Sequence, residues 1–282
     1  MNELLRLEDV HITIRKGSVP IVKGVSLSVY SGKSTVIVGE SGSGKTMLIK
    51  AVTGILNRKN VLVEGHAYFG DLDLFALSDQ TRRKYCRHLA LIMQNPMTSF
   101  DPSMKIGKQM MIGTNFSKTE AHEKAIQALR AVGLPRPEQL LNSYPHELSG
   151  GMLQRVMVAI AIMGKAAIIA ADEPTTALDV VSQGLVLDEL MTLKNRGVGI
   201  LFVTHDFLVA KKIADIIAVM KDGIFVETGE ADEIFCNPQH NYTKALLEAS
   251  ILRRKETENV NTTQEPSAFV ANVVCRKEPE TC

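Results

Sequence analysis

The sequence feature that most constrains this chain is a glycine-rich segment, GESGSGKT, at positions 39–46. The β-branched, apolar run TVIV (35–38) precedes it, and we expect a helix over Met47–Leu56, closed near Gly54, after it. Strand, glycine-rich turn and helix in this order are the setting in which the pattern G-x-x-x-x-G-K-[ST] binds phosphate. Backbone N–H groups of such a turn point toward a phosphate chain, and the helix adds its positive N-terminal end. The segment therefore predicts a protein that binds a nucleotide.

Two residues of this segment add side-chain chemistry to the backbone contacts. Lys45 can reach the β- and γ-phosphates as a point charge, and the Thr46 hydroxyl can ligate Mg²⁺. The whole segment supplies the candidate nucleotide-binding residues Gly39, Glu40, Ser41, Gly42, Ser43, Gly44, Lys45 and Thr46.

A second candidate element is the apolar run Ile168–Ala171, which ends in the two carboxylates Asp172 and Glu173. A carboxylate at the first position can hold Mg²⁺ through water, and a carboxylate one residue later can polarise an attacking water. Two solvated acids at a strand end would be the simpler interpretation of this pair alone. A phosphate-binding loop in the same chain favours the catalytic interpretation.

A third element is the turn Ser149-Gly150-Gly151, which opens the helix that contains the apolar run VMVAIAIM (156–163). Exposed N–H groups at a helix N-terminus can bind an anion. Considered alone, the turn is better explained as an ordinary cap, with Ser149 capping and the glycines bending the chain. A second possible anion site in a chain that already has one makes the functional interpretation more attractive.

With these elements in view, the sequence resembles the ATP-binding subunits of ABC transporters over residues 4 to about 250. LSGGMLQR (148–155) is similar to the signature motif of that family, which usually reads LSGGQ, so Met152 is a departure. Gln94, Asp179 and His205 match the family's Q-loop, D-loop and switch histidine, in the family's order.

The resemblance implies that two cassettes pack head to tail, each contributing half of a site for ATP and Mg²⁺. Glu173 would be the general base, and His205 would contact the γ-phosphate and stabilise the transition state. Gln94 would sense Mg²⁺ and the attacking water, and Asp172 and Thr46 would complete the metal site. The residues that would meet the partner's ATP are Ser149, Gly150, Gly151 and Asp179.

The alternation of strands and helices predicts an α/β fold with a largely parallel central sheet. The resemblance specifies it as a P-loop NTPase (RecA-like) core with an antiparallel β part and a helical insertion. We expect the core at 1–94 and 149–232, the helical signature subdomain at 95–148, and a C-terminal extension at 233–254. Residues 255–282 are polar and lack periodicity, which predicts a disordered tail.

Composition excludes several classes of function. Lys and Arg number 32 against 31 for Asp and Glu, so bulk charge gives no reason to expect nucleic-acid binding. The four cysteines form no C-x-x-C pair, which is typical of a reduced, cytosolic protein and argues against an iron–sulfur cluster. The longest apolar stretch, 156–163, is far shorter than the ~18 residues that span a bilayer.

The expected partners follow from the resemblance. They are a second ABC ATPase subunit, which the resemblance suggests is a related chain, two transmembrane permease subunits and an extracytoplasmic substrate-binding protein. The chain itself would then be peripheral, at the cytoplasmic face of the cell membrane.

The C-terminal string CNPQHNYTKALL (236–247) is similar to an element of the peptide/nickel importer group, which usually reads N-P-x-H-P-Y-T-x-x-L-L. The string IMQNPMTSFDP (92–102), SGGMLQR and DEPTTALDVV look most like the nickel and metal-opine import members, with which Met152 is shared. This similarity favours metal-chelate import, with oligopeptide or dipeptide import as the alternative.

Two other classes of function are disfavoured by the sequence. A non-transport ABC ATPase of DNA repair or translation usually has two cassettes in one chain, a long coiled-coil insertion or strongly basic arms, and this sequence has none of them. A nucleotide-binding module without turnover is disfavoured because Lys45, Glu173 and His205 are all present.

The N-terminal strand departs from the family where an aromatic residue usually stacks on adenine, because Ile14 occupies the equivalent position. An aliphatic side chain packs against a base but does not supply the π-stack, which is worth about 1–3 kcal/mol per base where it is used. We therefore expect GTP to bind within about tenfold of ATP. Competition binding tests this expectation, and a strong preference for ATP would contradict it.

Overall fold

The computed structural model describes residues 2–86, 88–112, 114, 116–176, 178 and 180–250. Asp179, the end of the predicted extension (251–254) and the predicted tail (255–282), with Cys275 and Cys282, lie outside the described residues.

The strands are β1 (Glu3–Ile14), β2 (Val19–Tyr30), β3 (Ser34–Val38), β4 (Val61–Phe69), β5 (Leu72–Asp73), β6 (Leu89–Ile92), β7 (Ile168–Asp172), β8 (Gly199–Thr204), β9 (Ile216–Lys221) and β10 (Ile224–Glu230). The helices are α1 (Lys45–Val52), α2 (Asp79–Cys86), α3 (Ile106–Met110), α4 (Lys118–Ala131), α5 (Pro137–Leu140), α6 (Gly150–Met163), α7 (Val180–Asn195), α8 (Phe207–Ile213) and α9 (Ala231–Cys236), and 241–250 is also helical (α10). Short 3-10 helices lie at Pro96–Thr98 and Pro145–Glu147.

The strands form two sheets, which confirms the predicted α/β fold with an antiparallel part. The first sheet is antiparallel, with four strands in the order β2-β1-β4-β5. The second sheet has six strands in the order β10-β9-β3-β8-β7-β6, and β10 alone runs antiparallel to its neighbour. Parallel strands require crossover connections, which the intervening helices provide.

The order of the six-stranded sheet brings the sequence motifs together. β3 lies between β8 and β9, and β7 lies between β8 and β6. Because these strands are parallel, their carboxyl ends meet at one edge of the sheet, which is where ligands bind in open α/β sheets. The phosphate loop follows β3, Gln94 follows β6, Glu173 follows β7 and His205 follows β8.

Both faces of the six-stranded sheet are covered, so its central strands are apolar without alternation. All residues of β3, β7 and β8 are buried. On β3, Val36 and Val38 belong to the core that the helices α4, α6, α7 and α8 share, whereas Ile37 belongs to the core formed with the first sheet and α1. Successive side chains of a strand point to opposite faces, so one strand supports two cores.

Helix α1 begins before the predicted Met47 and ends close to Gly54, near which the sequence predicts its closure. It begins at Lys45, directly from the phosphate loop, because Gly44 with φ of 110° turns the chain into the helix. It ends at Val52, where Thr53 folds its hydroxyl back onto the carbonyl oxygen of Ile49 and Gly54 adopts a φ of 74°. Helix α4 has Ser117 as its N-cap, and β9 and β10 form an antiparallel hairpin through the turn at 221–223.

A charge cluster ties the start of β3 to the end of α7. The carboxylate of Asp215 accepts hydrogen bonds from Lys194 Nζ at 2.9 Å and from the Ser34 backbone N–H at 2.8 Å. Lys33 Nζ lies 3.4 Å from its other oxygen. Burial by itself raises the pKa of Asp215, but these hydrogen bonds and the two lysine charges outweigh burial, so the pKa lies below its usual value.

Replacement of Asp215 by Asn should lower the free energy of unfolding by about 1–3 kcal/mol at pH 7, because Lys194 would lose its carboxylate partner while remaining largely buried. A carboxylate whose pKa is lower in the folded than in the unfolded state stabilises the fold at pH values above its unfolded pKa. This contribution is lost as the pH falls through the folded pKa. The difference between wild type and D215N in urea denaturation should therefore shrink below about pH 4. D71N, in an exposed turn, is the matched control, and equal stability of D215N and D71N at pH 7 would contradict this role.

Candidate nucleotide-binding and hydrolytic site

The phosphate loop is held between β2 and the β9–β10 hairpin. A methyl group on Gly39 would collide with the Met220 carbonyl oxygen, and one on Gly44 would lie 2.9 Å from the carbonyl oxygen of Ile21. The Gly223 N–H, in the hairpin turn, donates to the Ser43 carbonyl oxygen at 3.0 Å. The loop therefore rests against backbone on both sides, which explains why glycine is needed at these two positions.

The ammonium group of Lys45 lies inside the loop that precedes it. It donates to the carbonyl oxygens of Gly39 and Glu40, both at 2.7 Å, and lies 3.4 Å from the Ser43 hydroxyl. Burial lowers the pKa of Lys45, and the nearby carboxylates of Glu173, Asp172 and Glu40 oppose that effect. Two strong bonds fix the ammonium, and the third hydrogen makes only the long contact with Ser43.

Thr46 and Asp172 form the second pair of the site. The Thr46 hydroxyl donates to Asp172 Oδ1 at 2.9 Å, although 126 residues separate the two in sequence. Burial raises the pKa of Asp172, and the hydrogen bond from Thr46 and the charges of Lys50 and Lys45 oppose it. A hydroxyl and a carboxylate oxygen side by side match the oxygen ligands that Mg²⁺ takes from proteins.

Glu173 is the centre of a third group of side chains. Its Oε2 accepts hydrogen bonds from Gln94 Nε2 at 3.3 Å and from the Thr176 hydroxyl at 3.0 Å, and His205 Nδ1 lies 3.1 Å away. The Glu173 backbone has a φ of 46°, unusual for a residue with a side chain, and its N–H donates to the Val203 carbonyl oxygen. Such conformations cost about 1–3 kcal/mol and concentrate at functional sites.

These groups surround one cavity of about 390 Å³. Its walls are formed by Ile21, Ser41, Gly42, Gly44, Lys45, Thr46, Met47, Gln94 and Glu173. The structure thus brings together most of the predicted phosphate-loop residues with the Q-loop glutamine and the predicted general base. Ile21 of β2 lines the cavity, whereas Ile14, at the end of β1, is not among its lining residues.

The signature turn lies apart from this cavity. Ser149 and Gly150 are exposed, and Ser149 caps α6 by accepting a hydrogen bond from the Met152 N–H at 3.3 Å. A methyl group on Gly151 would lie 3.3 Å from the Ser182 hydroxyl at the start of α7. None of these three residues lines the cavity of the same chain.

Two residues at the site were not predicted from the sequence. Thr176 supports Glu173, and the Tyr242 hydroxyl accepts a hydrogen bond from the Glu40 N–H at 3.2 Å. Thr176 lies three residues after Glu173, a spacing that could have indicated a local contact. Tyr242 lies in a string that the sequence offers only as a family resemblance.

Among the described residues, no group of three or more His, Cys, Asp or Glu side chains is arranged to hold a metal ion. Among the helices described, none has both the length and the hydrophobicity of a membrane span.

Comparison with known sequences gives a consistent result. The ABC transporter family profile matches residues 22–176. The oligopeptide transport ATP-binding protein OppD of Bacillus subtilis is 39% identical over 262 residues, covering 88% of this chain and 72% of OppD. The metal-staphylopine import system ATP-binding protein CntD of Staphylococcus aureus is 38% identical over 250 residues, covering 86% of this chain and 92% of CntD.

Solved structures agree with the sequence relatives. The ATP-binding cassette MJ0796, in a dimeric post-hydrolysis state bound to ADP and Pi, superposes with a TM-score of 0.72 at 26% identity, over 80% of this chain and 98% of that one. The protein cbiO1 from Clostridium perfringens, part of the ABC transporter complex cbiONQ, shares the fold with a TM-score of 0.72 at 22% identity, over 92% of this chain and 99% of that one. The phosphate loop, the acidic strand end and the signature turn all occur in this one fold. The chain therefore belongs to the ABC transporter family; it is an ATPase and the ATP-binding subunit of an importer.

Proposed function

We propose that this chain hydrolyses MgATP to energise uptake of a transition metal, as nickel or as a metal chelate. The observation that carries the hydrolytic part is the convergence of Gln94, Thr176 and His205 on Glu173 beside the phosphate-loop cavity. A carboxylate held by three neighbours at the mouth of a nucleotide site is positioned to accept a proton from water.

In the proposed reaction, Glu173 takes a proton from a water molecule while the oxygen of that water attacks the γ-phosphorus. The bond from the γ-phosphorus to the β–γ bridging oxygen breaks, and ADP and phosphate are the products. All three contacts described for the carboxylate fall on Oε2. We assign the water to the other oxygen, Oε1, with Gln94 and His205 fixing the carboxylate plane.

Lys45 and the loop amides would bind the phosphate chain. Lys45 keeps its two carbonyl partners and turns its third hydrogen toward the γ-phosphate, whose charge favours the ammonium form. Mg²⁺, when bound, would neutralise charge on the phosphates, and Thr46 and Asp172, with Gln94 nearby, would hold it.

The second half of the site would come from a partner cassette. The exposed signature turn, Ser149 to Gly151, lies outside the cavity of its own chain, which supports a contact with ATP bound to a neighbour. Asp179 belongs to the same proposed interface. We propose a related chain as the partner, with both cassettes attached to two permease subunits at the cytoplasmic face of the membrane and an extracytoplasmic protein that binds the cargo.

The cargo assignment rests on similarity. The resemblance of 92–102 and of the Met152-containing signature to metal-importing members favours a metal chelate, and CntD is a relative of this kind. Import of oligopeptides is the second candidate because OppD of Bacillus subtilis is equally similar in sequence.

Replacement of Glu173 by Gln should reduce ATP turnover at least a hundredfold, because an amide cannot accept the proton from water. ATP affinity should stay within about threefold, since the amide keeps the size of the carboxylate. Phosphate release by the assembled transporter and binding of a non-hydrolysable ATP analogue separate the two effects. E64Q, at an exposed position of the first sheet, is the control. Turnover by E173Q at the E64Q level would rule out Glu173 as the base.

Replacement of Lys45 by Ala should weaken ATP binding by about 10- to 100-fold, because a charge-assisted hydrogen bond is worth about 1.5–3 kcal/mol. Calorimetric titration with the ATP analogue measures the loss, and K59A, at an exposed position, controls for charge. A thermal melt of K45A checks that the protein remains folded. Unchanged affinity in a folded K45A protein would exclude the proposed phosphate contact.

Transport assays in cells distinguish the cargo classes. Uptake of radioactive nickel, offered free and as an opine chelate, should fall to background in cells whose only copy is E173Q, whereas uptake of a labelled dipeptide or pentapeptide should not change. The reverse pattern would replace metal import by peptide import and leave the ATPase assignment intact.

A further inference from the structure

The C-terminal helix α10 reaches the phosphate loop through one side chain. Tyr242, the second residue of α10, accepts a hydrogen bond on its hydroxyl oxygen from the Glu40 backbone N–H at 3.2 Å. Tyr242 is half-buried, and burial, together with the charges of Glu40 and Asp222, raises the pKa of its hydroxyl. The group therefore stays neutral at physiological pH.

The segment that carries Tyr242 is itself anchored to the second sheet. Glu227 of β10 accepts hydrogen bonds from the backbone N–H groups of Gln239 at 2.6 Å and His240 at 3.1 Å. His240 Nδ1 in turn accepts from the Tyr242 N–H at 3.1 Å. On the other side, Lys221 Nζ lies 4.8 Å from the centre of the Tyr242 ring, within the range of a cation–π contact. A continuous series of contacts therefore runs from β10 to the tyrosine hydroxyl.

The backbone segment that Tyr242 contacts also holds the ammonium group of Lys45, the residue proposed to bind phosphate. The N–H of Glu40 is held by Tyr242, and the carbonyl oxygens of Gly39 and Glu40 are both held by Lys45 Nζ at 2.7 Å. Movement of this backbone would move two of the three acceptors that position the ammonium group. Tyr242 thus acts on Lys45 through the backbone of the first turn of the loop.

We infer that Tyr242 is a positioning residue for nucleotide binding, which sets the first turn of the phosphate loop and, through it, the ammonium group of Lys45. The inference rests on the proposed function of Lys45 and extends the nucleotide site to a tyrosine that is 202 residues away from Glu40 in sequence. It assigns Tyr242 no contact with ATP and no part in the chemical step.

The test is the variant Tyr242→Phe, which removes the hydroxyl and keeps the ring against Lys221. Loss of one hydrogen bond is worth about 2- to 10-fold in an equilibrium constant. We expect the Kd for a non-hydrolysable ATP analogue and the KM for ATP to rise by that factor, with kcat of the assembled transporter unchanged within twofold. Hydrogen exchange at the Glu40 amide should quicken in Y242F, while exchange in β3 stays unchanged.

A purely structural effect would give a different pattern, because partial unfolding lowers the active fraction, and hence apparent kcat, without raising KM. Tyr68→Phe is the matched control, since its ring contacts Arg6 and His66 on the first sheet. Lys221→Met should shift Kd in the same direction by a smaller factor. If wild type and Y68F bind the analogue and Y242F binds equally well, the inference is wrong and the proposed function stands. If wild type itself does not bind, the proposed function fails first.

Discussion

The placement of β3 between two parallel neighbours is the constraint on which the rest of the structure depends. β3 forms parallel ladders with β8 and β9, and β7 extends the parallel set beyond β8. This register brings the phosphate loop, Glu173 and His205 to one edge, although they come from different parts of the sequence. A change of one residue in the pairing would invert the faces of β3, so that Ile37 would point toward the helices and Val36 and Val38 toward the first sheet.

Burial acts on the two signs of charge in opposite directions at this edge. It lowers the pKa of Lys45 and raises that of Asp172, so each charged form is disfavoured by desolvation and favoured by the charge of the other. A triphosphate would place negative charge beside Lys45, and its cation would place positive charge beside Asp172. The site is therefore electrostatically suited to bind the nucleotide and metal together.

The sequence predicts the parts of the molecule that depend on local order. The phosphate loop, the apolar runs at 35–38 and 168–171 and the helix opened by the signature turn are each defined by contiguous residues, and the structure has them at or near the predicted positions. The contact between Thr46 and Asp172 needs the strand order, which no local pattern contains. Helix α1 begins at Lys45 and not at Met47 because Gly44, with a φ of 110°, turns the chain into the helix, a backbone effect that hydrophobic periodicity does not register. The roles assigned to the signature residues depend on a second chain and remain proposals.

The contacts of the β9–β10 hairpin turn determine where substitutions that weaken the nucleotide site can occur in the sequence. Gly223 donates its N–H to Ser43 and accepts a hydrogen bond on its carbonyl oxygen from the Lys23 N–H, and a methyl group at this glycine would collide with the Ile21 carbonyl oxygen. A lesion in the hairpin is therefore transmitted to the loop that cradles phosphate. In a screen for variants whose activity is restored by excess ATP, substitutions in this turn should be recovered together with substitutions in the glycine-rich motif, although the two segments are distant in sequence.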